Sequence, residues 1–243
     1  MRLLAAALLI VSAAPALASE QRFARTVAIR PDTPIRIDAT IADVVVEGSP
    51  RSDMAIQIVR RAPDDRDFDK YPIVFDDRAG AVQISAVQAG GGVDPSLKTE
   101  IRLSVPSSAV LDALNVFEGK VQLGNLRRVC HVTLRRGPID ASALAGRIRL
   151  QTELGSIDVR GAELTAGGMM HLRAFNGDVR VRLARRPDDA RILAVTYNGT
   201  ITSDIPLNMK DRFGPHFGET TLGRGEPVLS IDIVKGNVVI KVG

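Results

Sequence analysis

Cysteine, tryptophan and histidine are nearly missing from this chain of 243 residues, which has one, none and three of them respectively. With Cys130 as the only cysteine, no intramolecular disulfide can form in any compartment, and burial has to hold the fold together. The thiol itself reads as a buried structural residue rather than a nucleophile. Aromatic residues make up 4% of the chain, while Val, Ile, Leu and Ala dominate, which suits a thin core of repeated small layers. Nothing matches a nucleotide-binding loop, because Gly223-Arg224-Gly225 does not join a strand to a helix. No serine stands in a nucleophile elbow. After the first residues, no apolar run approaches the roughly 20 residues needed to cross a bilayer.

Those first residues carry a leader pattern. Arg2 precedes an apolar run from Leu3 to Val11, and Ala16-Leu17-Ala18 closes it with small residues ahead of Ser19. This predicts a secretory signal peptide over 1–18, cleaved after Ala18, and a protein exported to the periplasm, the cell surface or the medium. No cysteine follows to accept a lipid anchor. The charge balance is modestly positive, at +4, and the arginines crowd the middle of the chain, whereas Asp64, Asp65, Asp67, Asp69, Asp76 and Asp77 mark an earlier acidic stretch. Outside the cytoplasm, a basic surface points to lipid head groups, lipopolysaccharide or acidic glycans, and not to nucleic acid. The plainer reading of the same charges is a solvated face.

What is abundant is a repeat. Six times from Phe117 onward, a glycine is followed by one variable residue and then by alternating aliphatics, at Gly119, Gly137, Gly155, Gly177, Gly199 and Gly236. The first three are eighteen residues apart and the next two gaps are twenty-two, periods expected of stacked arrays. Strands alternate their side chains between two faces. Registering the glycines therefore gives one inward column, Val121, Ile139, Ile157, Val179, Ile201 and Val238. A second column is Leu123, Ala141, Val159, Val181, Ser203 and Ile240. Further columns, Cys130, Ile148, Met170, Ile192 and Leu229, then Val132, Leu150, Leu172, Ala194 and Ile231, put a second strand in each coil. The expected fold is all-β, a single-stranded β-solenoid of parallel β-helix-like coils, stacked in sequence order with glycines at the corners. Glycine adopts positive φ there at no steric cost. Phe117, Phe175 and Tyr197 each stand two residues before a corner, which predicts an aromatic ladder packed at the core or edge, with a ligand-stacking strip as the alternative.

Residues 19–106 are also β-rich, with turns at Pro31-Asp32, Gly48-Ser49-Pro50 and Gly90-Gly91-Gly92, and read as a cap or opening layers of the repeats over 107–243. The stretch 204–225, with Pro206, Pro215 and several glycines, reads as a loop inserted before the last coil.

The corner motifs Asn176-Gly177-Asp178-Val179 and Asn198-Gly199-Thr200-Ile201 are followed by Thr202-Ser203-Asp204-Ile205-Pro206 and a glycine-bearing stretch to Gly225. Leu229-Ser230-Ile231-Asp232-Ile233 and Lys235-Gly236-Asn237-Val238 complete the series. In this order they resemble the bacterial "putative adhesin" domain family of unknown function, the head-GIN-like domains, over most of the chain. Lys235 stands where Asn is common, and Pro138 is unusual. The resemblance implies an exported β-solenoid and carries no catalytic residues with it.

Candidate chemistry is sparse. Asp140 and Asp158 fall on one outward row in adjacent coils, about 5 Å apart, near the carboxylate separation of retaining glycosidases. Arg160 and Arg180 stand close enough to neutralise them. His131 and His171 share an outward row with Arg149 between them, about 9 to 10 Å apart, too far for one metal without further ligands. No cofactor is called for. Arg147 and Arg149 on one strand and Arg180 and Arg182 on another display charge at strand spacing. The function expected is a non-enzymatic envelope or adhesion-type binding module for an anionic envelope polymer, a glycan or another envelope protein. The alternatives are a carbohydrate-active enzyme using Asp140 and Asp158, and a structural or envelope-stress accessory protein.

Overall fold

The computed structural model describes residues 19–78, 80–89, 92–210 and 214–243. The expected leader, Met1–Ala18, and Gly90 and Gly91 of the glycine turn lie outside them. The chain opens with β1 (Ser19–Ala28), β2 (Pro34–Ile41), β3 (Asp43–Ser49) and β4 (Asp53–Ala62), then one short helix, α1 (Arg66–Lys70). β5 (Val74–Asp76), β6 (Val82–Ala86), β7 (Lys98–Pro106), β8 (Val110–Glu118) and β9 (Val121–Gly124) follow. Next come β10 (Val129–Arg136), β11 (Ile139–Ser142), β12 (Arg147–Leu154), β13 (Ile157–Ala162), β14 (Met169–Asn176) and β15 (Val179–Leu183). The chain ends with β16 (Ala190–Asn198), β17 (Ile201–Ser203), β18 (Asn208–Lys210), β19 (His216–Leu222), β20 (Val228–Lys235) and β21 (Val238–Val242).

The protein is all-β, with two large mixed sheets. The first has ten strands in the order β1-β4-β7-β3-β9-β11-β13-β15-β21-β17. The second has eleven, in the order β18-β19-β16-β20-β14-β12-β10-β8-β2-β6-β5. Each corner glycine joins a strand of the second sheet to one of the first, and like strands pair in parallel. Val121, Ile139 and Ile157 are level with one another, as are Cys130, Ile148 and Met170. All six are buried. β2 and β3 continue the stack by pairing in parallel with β8 and β9. The main cluster of buried side chains, nearly all aliphatic, runs from Val27 to Ile240, and a second, small one joins Ala62, Phe68, Tyr71 and Leu97.

The corner glycines are required by close approach more than by φ. A Cβ on Gly137 would drive into the carbonyl oxygen of Gly119, one on Gly155 into that of Gly137, and one on Gly177 into that of Gly155. Gly119 faces the Ala42 carbonyl in the same way. The N–H groups run in the other direction, with Gly137 donating to Leu154 O at 2.8 Å and Gly155 to Asn176 O at 3.0 Å. φ is positive at Gly119, Gly137, Gly177 and Gly236, but Gly155 and Gly199 keep their place in the ladder without it. Thr152 and Thr196, both buried, donate their hydroxyls to the carbonyls of Gly137 and Gly236 at 3.3 and 2.8 Å. A buried hydroxyl without such a partner would carry a desolvation cost.

Three sequence expectations need correction. The last repeat is not at the end of the sheets: β20 and β21 lie between the strands of the two preceding repeats, so Val238 is level with both Val179 and Ile201. The half-buried Ile201 and Ser203 are therefore terminal. The stretch 204–225 is not all loop, since it contains β18 and β19, and β19 pairs antiparallel with the outer edge of β16. With that edge occupied, the returning chain takes the other edge of β16. Ile205, fully buried in the main cluster, closes the end of the core. The aromatic ladder is also broken, because the pairings put Arg135 and Glu153 between Phe117 and Phe175.

Candidate functional site

The outward rows of the two sheets are set by the same alternation that fills the core. On β12, Arg147 and Arg149 flank the buried Ile148 and point away from it, exposed, on the second sheet. Among the described residues neither guanidinium forms an ion pair. On β15, Arg180 and Arg182 flank the buried Val181 on the opposite, first sheet. Arg180 is engaged by Asp178, Nη2 to Oδ2 at 2.7 Å. The four arginines therefore form two separate displays, one on each outer face.

Asp140 and Asp158 are level with each other on β11 and β13, as the registration requires. Each has its own cation. Lys120 Nζ lies 2.9 Å from Asp140 Oδ2, and Arg160 Nε lies 3.0 Å from Asp158 Oδ1. The acids line an open depression of about 500 Å³ with Gln122, Ser142 and Arg102.

The remaining residues singled out from sequence have local partners. His171 Nε2 donates to Asp232 Oδ2 at 2.7 Å, and that hydrogen bond holds the Asp232 carboxyl below its ordinary range. His131 Nδ1 donates to the Asp112 carbonyl at 3.2 Å. Arg149 stands between the two histidines in the strand register. Among the described residues no group of three or more His, Cys, Asp or Glu side chains could hold a metal. Burial pushes the Cys130 thiol up to about 12. Alkylation of the folded protein at pH 8 should therefore wait on opening of the second sheet and accelerate with denaturant. Rapid, complete labelling without denaturant would contradict the burial of this thiol.

One feature escaped the sequence reading, and a second was seen only in part. Arg60, at the end of β4, is buried; its Nη2 donates to Tyr71 O at 2.5 Å and its Nη1 to Gln21 Oε1 at 3.1 Å, tying β1 and the segment after α1 to β4. Desolvation lowers its pKa. The second is a strip on the outer face of the second sheet near its corner edge. Phe175 and Tyr197 are 58% and 59% exposed, too much to count as core, and the pairings place Val234 level with both of them. Phe117, by contrast, lies under the guanidiniums of Arg135 and Arg136, 5.2 and 5.6 Å from its ring centre.

The fold and these faces define an all-β protein with open, charged sheet surfaces. No family model and no curated protein matches the chain. Among solved structures it resembles a protein from Clostridium sporogenes described as a "putative cell adhesion protein", with a TM-score of 0.53 and 11% identity over 93% of this chain and 100% of that one. It also matches a "putative adhesin" from Bacteroides fragilis, with a TM-score of 0.49 and 14% identity over 93% of this chain and 98% of that one. At such identities the likeness is one of fold, and it agrees with the sequence resemblance.

Proposed function

We propose that this chain is an exported, non-enzymatic binding module of the cell envelope, built as a β-solenoid and acting through its outer sheet faces on an anionic envelope polymer. The leader over 1–18 would direct export. The solenoid reading is supported by strands that alternate between two sheets, by parallel pairing from β2 and β3 onward, and by the unbroken carbonyl-to-glycine ladder at the corners. The observation that carries the binding reading is the unpaired display of Arg147 and Arg149 on an exposed sheet face. Free guanidiniums at strand spacing can meet carboxylate or phosphate groups along a chain bidentately. The neighbours described as adhesins are consistent with a binding role.

The runner-up, a glycan-cleaving enzyme, draws on the level pair Asp140 and Asp158. Against it, each acid is already held by a cation of its own, and the depression the acids line is open to solvent. Paired Arg147→Ser and Arg149→Ser changes should weaken binding to an anionic glycan about tenfold or more while the unfolding curve stays unchanged. Binding unaffected by the pair would turn the assignment away from this face. Mass spectrometry of the exported protein should find an N-terminus at Ser19, and a protein retaining Met1 in the cytoplasm would remove the envelope setting. Failure of every anionic polymer to bind would favour the accessory-protein alternative.

A further inference from the structure

We infer that Phe175, Val234, Tyr197 and Arg173 form a subsite for a carboxylated oligosaccharide, one bearing uronic acid units, on the outer face of β14, β20 and β16. The inference rests on the binding reading above and gives it a ligand class and a place. The two exposed rings sit two strand spacings apart, about 9.5 Å, with the half-buried Val234 level between them. They create a flat, ridged surface, on which the C–H faces of successive pyranose rings can stack as they do on any exposed aromatic face.

Arg173 stands two residues before Phe175 on the same side of β14 and lines both depressions that flank the strip, of about 320 and 460 Å³. The first depression also contains His171, Tyr197 and Asp232, and the second contains Gln151, Glu153 and Phe175. Asp232 is level with Arg173 but is engaged by His171, and Glu153 is held by Arg135 Nε at 2.9 Å. Among the described residues Arg173 makes no ion pair within 4 Å, although the Asp232 charge level with it on β20 is near enough to feel it; its planar fork stands on the β14 side of the strip, and Arg149 lies beyond it on β12. Hydroxyl-bonding side chains beside stacking rings, with an exposed guanidinium among them, match the alternating apolar face, hydroxyl rim and carboxylate of an acidic sugar. A bilayer fits less well, because Arg173, Glu153 and Asp232 would have to lose water along with the rings. A protein partner would ordinarily anchor its own aromatic or Arg side chain in a well-packed pocket, whereas this surface offers only open depressions.

The test titrates the protein with oligogalacturonides and with their methyl esters, which keep the rings and lose the charge. Isothermal titration calorimetry reads binding in every variant, and tyrosine emission adds a local readout in those that keep Tyr197, because the chain has no Trp and two Tyr, and Tyr71 is buried. The free acid should bind at least about tenfold more tightly than the ester. Phe175→Ala with Tyr197→Ala should weaken both ligands by about tenfold, Tyr197→Phe should restore most of that loss, and Arg173→Gln should bring acid and ester to equal affinity. All three substituted positions are exposed, and unchanged thermal unfolding of the variants would verify that the fold is kept. Equal binding of acid and ester to the unaltered protein would overturn the inference. So would indifference to the aromatic pair, or binding confined to phosphatidylglycerol vesicles. If oligogalacturonides fail but lipopolysaccharide binds through Arg147 and Arg149, this subsite falls and the binding reading stands. If no anionic polymer binds, both fall together.

Discussion

Ile157→Asp is expected to be among the most damaging single changes in the chain, with a loss of about 5 kcal/mol, enough to leave little folded protein. Ile157 is fully buried, level with Ile139 on one side and Val179 on the other. The substitution removes a side chain whose burial contributes about 2 to 3 kcal/mol. It also places a carboxyl in a layer of Val and Ile side chains that offer no hydrogen bond. Either the charge stays, uncompensated, or the group takes up a proton and remains an unsatisfied polar group; both are costly. Circular dichroism and urea denaturation would measure the effect. Asp at Ile201, the half-buried terminal member of the same column, should cost much less. Equal effects at the two positions would contradict the layered core.

Gly137→Ala should be nearly as severe, destabilising by about 3 kcal/mol, although it adds one methyl group. The new Cβ would collide with the Gly119 carbonyl, which belongs to the backbone and cannot rotate aside, and φ at Gly137 is +130°. Gly167 provides the control. Its φ is +70°, but nothing lies within 4 Å of its would-be Cβ, so Gly167→Ala should cost only the backbone strain, about 1 kcal/mol. The difference in urea midpoint between the two variants isolates the close approach at the corner. Similar midpoints would mean the coils are not stacked through the glycine ladder.

The columns of Ile139, Ile157 and Cys130 were legible in the sequence because strands repeat every two residues and the glycines repeat with the coils. The order of the last two coils was not. Ile192 and Leu229, or Ala194 and Ile231, fit the same slot, so the pattern marks membership of a column without marking neighbours. What decides the order is β19, an antiparallel strand outside the repeat that occupies one edge of β16. Its residues lie in a stretch of glycines and prolines that reads as loop. The break in the aromatic row was legible, since Arg135 and Glu153 occupy the position that Phe117 and Phe175 hold in their own coils. The exposed strip was only half visible, because sequence order sets Phe175 beside Tyr197, whereas the structure inserts Val234 between them. Burial of Arg60 had no signal at all: Val59-Arg60-Arg61 reads as the exposed end of a strand, and the carbonyls that hold Arg60 come from residues eight and eleven positions further on.

Placing Asp140 and Asp158 side by side was a success of the registration that does not by itself argue for catalysis. The same register gives each acid a cation at about salt-bridge distance, and such ion pairs on open surfaces contribute little to stability. The arginines proposed for binding are Arg147 and Arg149, which make no ion pair among the described residues.

The most direct test of the account is a salt titration of polygalacturonate binding to the mature protein, with reducing-end release followed in the same samples. Exposed charges are screened beyond about 8 Å at physiological ionic strength, so binding should weaken steeply as salt is added. Arg147→Ser with Arg149→Ser should flatten that dependence, and the polymer should stay intact throughout. Salt-insensitive binding, or release of reducing ends that stops in Asp158→Asn, would contradict the account.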